Sequence, residues 1–269
     1  MSGATILDEI AGKTRLRVEE AKKLISLEKL REEIGNREWG VGNGEKLPFE
    51  RALREPGLSF ICEVKKASPS KGIIAEDFPW LEIAMEYEAA GAQAISVLTE
   101  PEYFLGSDQY LREIAAAVSI PTLRKDFTID PYQIYEAKVL GAQAVLLICA
   151  LLDKKTLASY IKTAVGLDLC ALVEIHTKTE AEQALEAGAQ IIGINNRNLK
   201  SFSVDMEASA RLRKSIPDGI FTVAESGIQS AEDVRILNGL GFDAVLIGES
   251  LMRSADKKQF LTELKSLIN

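Results

Sequence analysis

The chain of 269 residues is 46% hydrophobic and carries a formal net charge of −8. This length and apolar content suffice for one domain with a large core, whereas the acidic balance argues against nucleic acid as a partner. No apolar run is long enough to cross a bilayer, and the first ten residues lack the basic end and apolar core of a signal peptide, so we predict a cytoplasmic protein without a membrane partner.

The first predicted element is an amphipathic helix. From about Ile6 to Ile34, apolar residues recur at helical spacing between Lys, Arg and Glu side chains. The stretch Gly40-Val-Gly-Asn-Gly44 breaks that pattern, and a short helix around Pro48 to Arg54 leads into the first strand. We therefore predict one domain, in which residues 1–45 form a helical extension and residues 46–269 form the main body.

The main body contains an internal repeat. Gly-Ala-Gln, or Gly-Phe-Asp in the last copy, precedes a short aliphatic run at Gly91, Gly141, Gly188 and Gly241. Such a glycine ends a helix in the left-handed conformation, and the aliphatic run is typical of a parallel strand buried on both faces. The copies lie roughly fifty residues apart, the length of two βα units, so they predict eight units in an α/β fold, the (β/α)8 TIM barrel.

The predicted strands alternate with helical patterns along the chain. In chain order the strands span residues 58–64, 94–98, 121–124, 144–149, 170–175, 191–195, 220–224 and 244–247. Helical patterns occupy residues 80–90, 131–140, 154–164, 179–187, 231–240 and 255–267. Cys62, Cys149 and Cys170 fall within predicted strands and lack metal-type spacing, so we predict buried, reduced thiols and no metal site.

Ionisable and polar residues follow the aliphatic runs at the C-terminal strand ends, where a barrel of this kind carries its active site. Glu63 and Lys65 end the first strand and share a face, because side chains alternate along a strand. One such charge could be a structural ion pair, but their coincidence on one rim predicts a catalytic cluster. His176 lies beyond its strand end without a second ligand-type partner, so we predict a structural role for it. The other strand-end residues of the cluster are Lys125, Glu174, Asn195, Arg197 and Glu225.

Small residues after the last two strands predict a phosphate site. Ser226-Gly227 and Gly248-Glu249-Ser250 allow backbone N–H groups to approach an anion closely, although a glycine after a strand is more often only a turn. The long loop from Lys65 to Gly72 predicts a mobile lid. Cations that would attract the phosphate are Lys65, Lys66, Lys71, Arg124, Lys125 and Arg197.

Six sequence motifs are shared with one enzyme family. They are Glu63-Val-Lys-Lys-Ala-Ser-Pro-Ser-Lys-Gly72, Leu123-Arg-Lys-Asp-Phe127, Val173-Glu-Ile-His176, Gly193-Ile-Asn-Asn-Arg197, Ala224-Glu-Ser-Gly227 and Leu246-Ile-Gly-Glu-Ser-Leu-Met252. The chain resembles indole-3-glycerol phosphate synthases of tryptophan biosynthesis over its whole length, in their monofunctional form. Glu249 stands where some relatives have Ser or Thr. The resemblance implies that the N-terminal extension packs over the barrel mouth and helps to enclose the substrate.

The family converts 1-(2-carboxyphenylamino)-1-deoxyribulose 5-phosphate into indole-3-glycerol phosphate, carbon dioxide and water. The resemblance therefore implies a carboxy-lyase that needs no cofactor, and we expect a monomer. It implies Lys125 as the acid of ring closure and Glu174 as the base of dehydration. Lys65, held by Glu63, would bind the substrate carboxylate and act as a second acid. Glu225 would tune the lysines, and Asn195 would hydrogen-bond the substrate. The implied substrate-binding residues are Ser68, Phe127, Arg197, Leu199, Ser226, Gly227, Gly248, Glu249 and Ser250.

Three other interpretations remain open. A phosphoribosylanthranilate isomerase would place phosphate similarly but would use an Asp/Cys pair, which these strand ends suit poorly. A Schiff-base aldolase could use Lys125 or Lys65 as its nucleophile, and borohydride trapping with substrate would identify it. A barrel that only binds its ligand would show no turnover.

Overall fold

Eight parallel strands form a closed barrel at the centre of the computed structural model, which describes residues 5–36, 47–197 and 206–268. Each strand pairs with the next, and the last pairs with the first. The predicted fold class is confirmed, and all eight strands lie within one residue of their expected bounds. The strands are β1 (Ser59–Val64), β2 (Ala94–Leu98), β3 (Thr122–Lys125), β4 (Ala144–Ile148), β5 (Cys170–Ile175), β6 (Ile191–Asn195), β7 (Phe221–Glu225) and β8 (Ala244–Ile247).

Helices precede the barrel and connect its strands. The predicted helix over residues 6–34 is wrong in one respect, because the structure divides it in two. Ile25 is extended, and the Ser26 side chain accepts a hydrogen bond from the Lys29 N–H to cap the second helix. The helices are α1 (Ile6–Leu24), α2 (Leu27–Gly35), α3 (Pro48–Leu53), α4 (Trp80–Ala89), α5 (Asp108–Ala117), α6 (Tyr132–Leu140), α7 (Lys154–Gly166), α8 (Lys178–Glu186), α9 (Met206–Arg213), α10 (Ala231–Gly239), α11 (Glu249–Arg253) and α12 (Lys257–Lys265).

The sequence repeat has a physical basis at the start of alternate strands. The glycine of each copy adopts a left-handed φ, such as 95° at Gly141. In three copies the next polar side chain then caps a neighbouring strand. Gln93 and Gln143 accept hydrogen bonds from the N–H groups of Phe60 and Thr122 at 2.8 and 2.7 Å. Asp243 does the same for Thr222 at 2.8 Å. The caps fall on β1, β3 and β7, two or four strands apart, which agrees with a repeat that spans two βα units.

Apolar layers lie on both the inner and the outer face of the barrel strands. Alternate strand residues such as Leu146, Leu172 and Leu246 fill the barrel, while their neighbours pack against the helices. Phe49 and Leu53 of α3 join the inner cluster and close the end of the barrel where the strands begin. The opposite end, where the strands finish, is thereby left for the functional site.

Helix α1 lies over the C-terminal ends of the strands, and helix α2 packs against α6. Arg17 of α1 forms an ion pair with Asp126 at 2.7 Å, and Lys22 forms one with Asp130 at 2.7 Å. Val18 and Leu30 pack with Tyr132 and Val139 of α6 in a separate apolar cluster. Among the helices of the described ranges, none has both the length and the apolar character needed to span a bilayer.

The three cysteines are buried and free. Cys62 and Cys170 lie in β1 and β5 as predicted, whereas Cys149 lies in a 3₁₀ turn directly after β4 rather than in the strand. Burial raises the pKa of each thiol to about 12. Each therefore stays a neutral thiol near neutral pH, where it is a poor nucleophile.

Candidate active site

A cavity of about 740 Å³ opens at the C-terminal ends of the strands. Leu199 lies outside the described residues. All other residues predicted for the site line this cavity, although they come from separate strands and loops. They are Glu63, Lys65, Ser68, Lys125, Phe127, Glu174, Asn195, Arg197, Glu225, Ser226, Gly227, Gly248, Glu249 and Ser250.

Lys125 is surrounded by three carboxylates. Its Nζ lies 2.8 Å from Glu225 Oε2, 3.8 Å from Glu174 Oε2 and 3.9 Å from Glu63 Oε2. Burial acts to lower the pKa of Lys125, but these carboxylates raise it well above its ordinary value. Lys125 is therefore a protonated ammonium at neutral pH, at the centre of the cavity.

Glu225 is the least solvated of these carboxylates. It is 1% exposed, and its Oε1 has no hydrogen-bond partner within the described ranges. Burial, together with the charges of Glu174 and Glu63, raises the pKa of Glu225 to about 7 in spite of the adjacent Lys125. Gly193 of β6 makes room for this side chain, because a Cβ there would collide with Glu225 Oε1.

Glu63 and Lys65 form a second ion pair in the cavity. Lys65 Nζ lies 2.6 Å from Glu63 Oε1, and Ser96 donates to Glu63 Oε2 at 3.4 Å. Burial acts to raise the pKa of Glu63, but Lys65 and Lys125 hold it below its ordinary value. Gly248 lies against this pair, since a Cβ there would meet Glu63 Oε1 and would come within 2.9 Å of Lys65 Nζ. The sequence interpretation assigned Gly248 to phosphate alone and missed this contact.

Glu174 has a cation or a ring nitrogen near each carboxylate oxygen. Oε2 faces Lys125, while Oε1 lies 3.6 Å from Nε2 of His176. Alternation along the end of β5 places both side chains on the same face. His176 therefore adjoins the cluster of charged side chains at the strand ends, although the sequence predicted only a structural role for it.

Two asparagines shape the loops after β6 and β7. Asn195 Oδ1 accepts a hydrogen bond from the Arg197 N–H at 3.0 Å. Asn196, which sequence analysis did not select, is buried and donates to the Ser226 carbonyl at 2.7 Å. It holds a turn in which Ser226 and Gly227 adopt left-handed φ values of 68° and 82°. This geometry brings consecutive backbone groups to the cavity wall.

Cations converge on Glu249 at the far side of the cavity. Its carboxylate lies 3.5 Å from Lys71 Nζ, 3.7 Å from Arg197 Nη2 and 3.4 Å from Arg253 Nε. These three cations line the same cavity as Ser226, Gly227 and Gly248, so charge and backbone N–H groups are both available to bind an anion. Ser250 donates to the Ile228 carbonyl at 2.8 Å and joins the two loops.

Arg124 does not contribute to that positive charge. The sequence grouped it with the phosphate-attracting cations, but the side chain turns into the helical layer. It is 3% exposed, and its Nη2 lies 2.8 Å from Asp108 and 2.7 Å from Glu136. Side chains alternate between the two faces of β3, so the adjacent residues Arg124 and Lys125 point in opposite directions.

An apolar wall lines the remaining side of the cavity. Phe127 lies beside Phe104, with ring centroids 6.0 Å apart. Ile6, Leu7 and Ile10 of α1 face the same space. Phe104 and the α1 residues were not selected from the sequence, because a lone aromatic in a loop and an apolar helix stripe carry no distinctive signal. A flat aromatic group fits between these surfaces.

The chain matches one protein family over most of its length. The family described as Indole-3-glycerol phosphate synthase matches residues 7–264. An indole-3-glycerol phosphate synthase of Ruminiclostridium cellulolyticum is 56% identical over 260 residues, which cover 97% of this chain and 98% of the relative. One from Lacticaseibacillus casei is 52% identical over 260 residues, with 97% and 98% coverage.

Solved structures with low sequence identity share the fold. A crystal structure of 3-hexulose-6-phosphate synthase superposes with a TM-score of 0.65 at 14% identity and covers 79% of this chain and all of its own. Thiamine phosphate pyrophosphorylase from Pyrococcus furiosus gives a TM-score of 0.60 at 17% identity, with 80% and 96% coverage. At such identities the likeness bears on the barrel alone.

Proposed function

Since the chain belongs to the indole-3-glycerol phosphate synthase family, we propose that its cavity closes, decarboxylates and dehydrates 1-(2-carboxyphenylamino)-1-deoxyribulose 5-phosphate. The products are indole-3-glycerol phosphate, carbon dioxide and water. The observation that carries the assignment of residues is the pair of lysines, Lys65 and Lys125, held apart in one cavity by the shared carboxylate of Glu63. The substrate has a carboxylate and a ketone oxygen that react, and two separated ammonium groups can bind one each.

Substrate binding uses both ends of the cavity. The phosphate binds the backbone of Ser226, Gly227 and Gly248, with Lys71 and Arg197 supplying charge. Arg197 also approaches Ser70 Oγ at 3.4 Å, which links the loop after β1 to this end. The aminobenzoate ring binds the apolar wall at Phe127. Residues Ser68, Glu249 and Ser250 complete the set of side chains assigned to binding, together with Leu199.

Ring closure takes place at Lys125. The aromatic carbon that carries the carboxylate attacks the substrate ketone, and a carbon–carbon bond forms as the carbonyl oxygen gains charge. The Lys125 ammonium stabilises that oxygen and gives it a proton. Glu225 lies 2.8 Å from Lys125 and keeps that side chain in place. Because its pKa is near neutrality, its carboxyl can take up or release a proton beside Lys125.

Decarboxylation and dehydration follow. Lys65 binds the substrate carboxylate until the bond to the ring breaks, and loss of carbon dioxide restores aromaticity. The hydroxyl then leaves as water with a proton from Lys65, while Glu174 removes a proton from the methylene beside the nitrogen. Asn195 hydrogen-bonds the substrate between these groups. No electron acceptor is needed, because the reaction includes no redox step.

The extension over residues 1–45 serves this cavity as a cover, and residues 46–269 form the barrel. The support is the position of Ile6, Leu7 and Ile10 in the cavity wall. We also propose a cytoplasmic location, which suits the three free thiols, and a monomer.

Turnover of the substrate by the purified chain tests the proposal. The indole product, followed by its fluorescence, and carbon dioxide should form in equimolar amounts. If neither appears, the barrel has another function, and a lysine adduct trapped by borohydride in the presence of substrate would identify Schiff-base chemistry instead.

A further inference from the structure

His176 lies between two carboxylates. Its side chain is 12% exposed, Nε2 lies 3.6 Å from Glu174 Oε1, and Nδ1 lies 3.6 Å from Glu180 Oε2. Neither ring nitrogen has a hydrogen-bond partner within the described part of the chain. These distances are ion-pair distances, longer than a hydrogen bond.

A neutral imidazole fits this arrangement poorly. It has one N–H donor and one acceptor nitrogen, so one carboxylate would face a lone pair. An imidazolium has two N–H groups and can direct one toward each carboxylate. The arrangement therefore favours the charged ring.

Glu180 is itself fixed. Its Oε2 accepts a hydrogen bond from the backbone N–H of His176 at 2.6 Å, and its own N–H bonds to the Thr177 side chain that caps α8. Burial acts to raise the pKa of Glu180, but the nearby His176 ring and the His176 backbone N–H hold it below its ordinary value. Glu180 thus supplies a stable negative charge behind the imidazole.

We propose that His176 is a positioning residue for Glu174, in which the imidazolium holds Oε1 from the side opposite Lys125 and leaves Oε2 to remove the substrate proton. Glu180 acts as the counter-charge that keeps the ring protonated. This inference rests on the proposed role of Glu174 as a base, which it deepens by naming what orients that base.

The charges around His176 agree with an imidazolium. Glu174 of β5, Glu180 of α8 and Glu225 of β7 all act on the ring, while Lys125 lies beyond Glu174. The nearby Cys149 thiol, 3.7 Å from the Glu180 carbonyl, stays neutral. Burial acts to lower the pKa of His176, but the three carboxylates raise it above its ordinary value.

The sequence contains one histidine, which permits a direct measurement. In the full chain without a histidine tag, carbon-13-labelled histidine gives one imidazole signal whose titration needs no assignment. We expect its midpoint above the ordinary value of 6.5. The midpoint should fall by about one unit in both Glu174→Gln and Glu180→Gln, since each change removes one neighbouring negative charge. Glu180→Gln retains an oxygen that can accept from the His176 N–H.

Kinetics of His176→Asn test the consequence. We expect kcat to fall about ten- to hundredfold, with KM changed by less than about threefold, because the base is displaced rather than removed.

A histidine midpoint below 6.5, or one unmoved by Glu174→Gln, would overturn the inference. So would a His176→Asn enzyme that loses thermal stability while its kcat stays unchanged. The titration does not depend on turnover. A wild-type chain that fails to make indole therefore refutes the proposed function separately.

Discussion

Lys125 Nζ lies 2.8 Å from Glu225 Oε2, and both groups are withdrawn from solvent at the centre of the barrel mouth. The two groups respond differently to burial. Three carboxylates keep the lysine charged, whereas the pKa of Glu225 rises to about 7. A group that titrates near neutrality at this place couples both the reaction and the stability of the fold to pH.

Glu225→Gln should change how stability depends on pH. The pKa of Glu225 is about 7 in the folded protein against an ordinary 4.5, so the folded state holds its proton more tightly. The stabilising contribution is therefore complete below 4.5 and is lost as the pH rises through about 7. Glutamine has no such proton. The Tm of the variant minus the Tm of wild type should therefore be larger at about pH 8 than at about pH 5. An equal difference at both pH values would mean that Glu225 titrates normally.

Gly227 and Gly248 should differ in their effects on kinetics. In Gly248→Ala the new Cβ meets Glu63 and Lys65, so kcat should fall by about tenfold or more. Gly227→Ala strains a left-handed turn at a cost of about 1–2 kcal/mol, so KM should rise and inhibition by inorganic phosphate should weaken.

Gly239→Ala is the matched control, because no atom lies within 4 Å of its added Cβ. Circular dichroism verifies the fold of each variant. If KM and phosphate inhibition are both unchanged in Gly227→Ala, the phosphate binds elsewhere. If kcat is unchanged in Gly248→Ala, the contact of this glycine with Glu63 and Lys65 does not matter for turnover.

Helix α1 offers a paired test of the apolar wall. Ile10 is 2% exposed and faces the cavity, whereas Leu16 on the same helix is 70% exposed. Ile10→Ala should raise KM by about tenfold, since about two buried CH₂ groups of contact are lost. Leu16→Ala should leave KM unchanged. Equal KM values in both variants would limit α1 to a packing role.

The barrel could be predicted from the sequence because its signals are local and repeated. A glycine, a capping Gln or Asp and an aliphatic run recur around the barrel, and the strand bounds follow from them. The break between α1 and α2 was missed, since a single Ser26 in an otherwise helical pattern is a weak signal.

The site residues could be chosen from strand ends, but their mutual contacts could not. Spacing places Glu63 and Lys65 on one face, yet it does not reveal that Gly248 packs against them or that Gly193 admits Glu225. Those contacts join strands distant in sequence. The role of Glu180 beside His176 depends on where α8 begins, and a shift of one residue there would turn the carboxylate away.

Activity should not depend on a metal ion. Three carboxylates converge in the cavity, but the Lys125 ammonium lies between them at 2.8 to 3.9 Å and takes the position that a cation would need. Exhaustive treatment with EDTA should therefore leave kcat unchanged. A loss of activity that added divalent metal restores would contradict this prediction.

Lys65→Met should weaken substrate binding as well as slow turnover. Its ammonium is held 2.6 Å from Glu63 and is assigned to the substrate carboxylate, so KM should rise when it is removed. Carbon dioxide should still be released in a single turnover at saturating substrate, with indole fluorescence lagging behind it. Coincident traces in this variant would assign dehydration to another acid.

Single-turnover release of carbon dioxide from Lys125→Met tests the central claim most directly. Decarboxylation must follow ring closure, so the loss of the ring-closing acid should slow the release by about a hundred- to ten-thousand-fold. Wild type should release one equivalent together with indole fluorescence. Near-normal release from Lys125→Met, or abolition of the release by Lys65→Met alone, would contradict the assignment of Lys125 to ring closure.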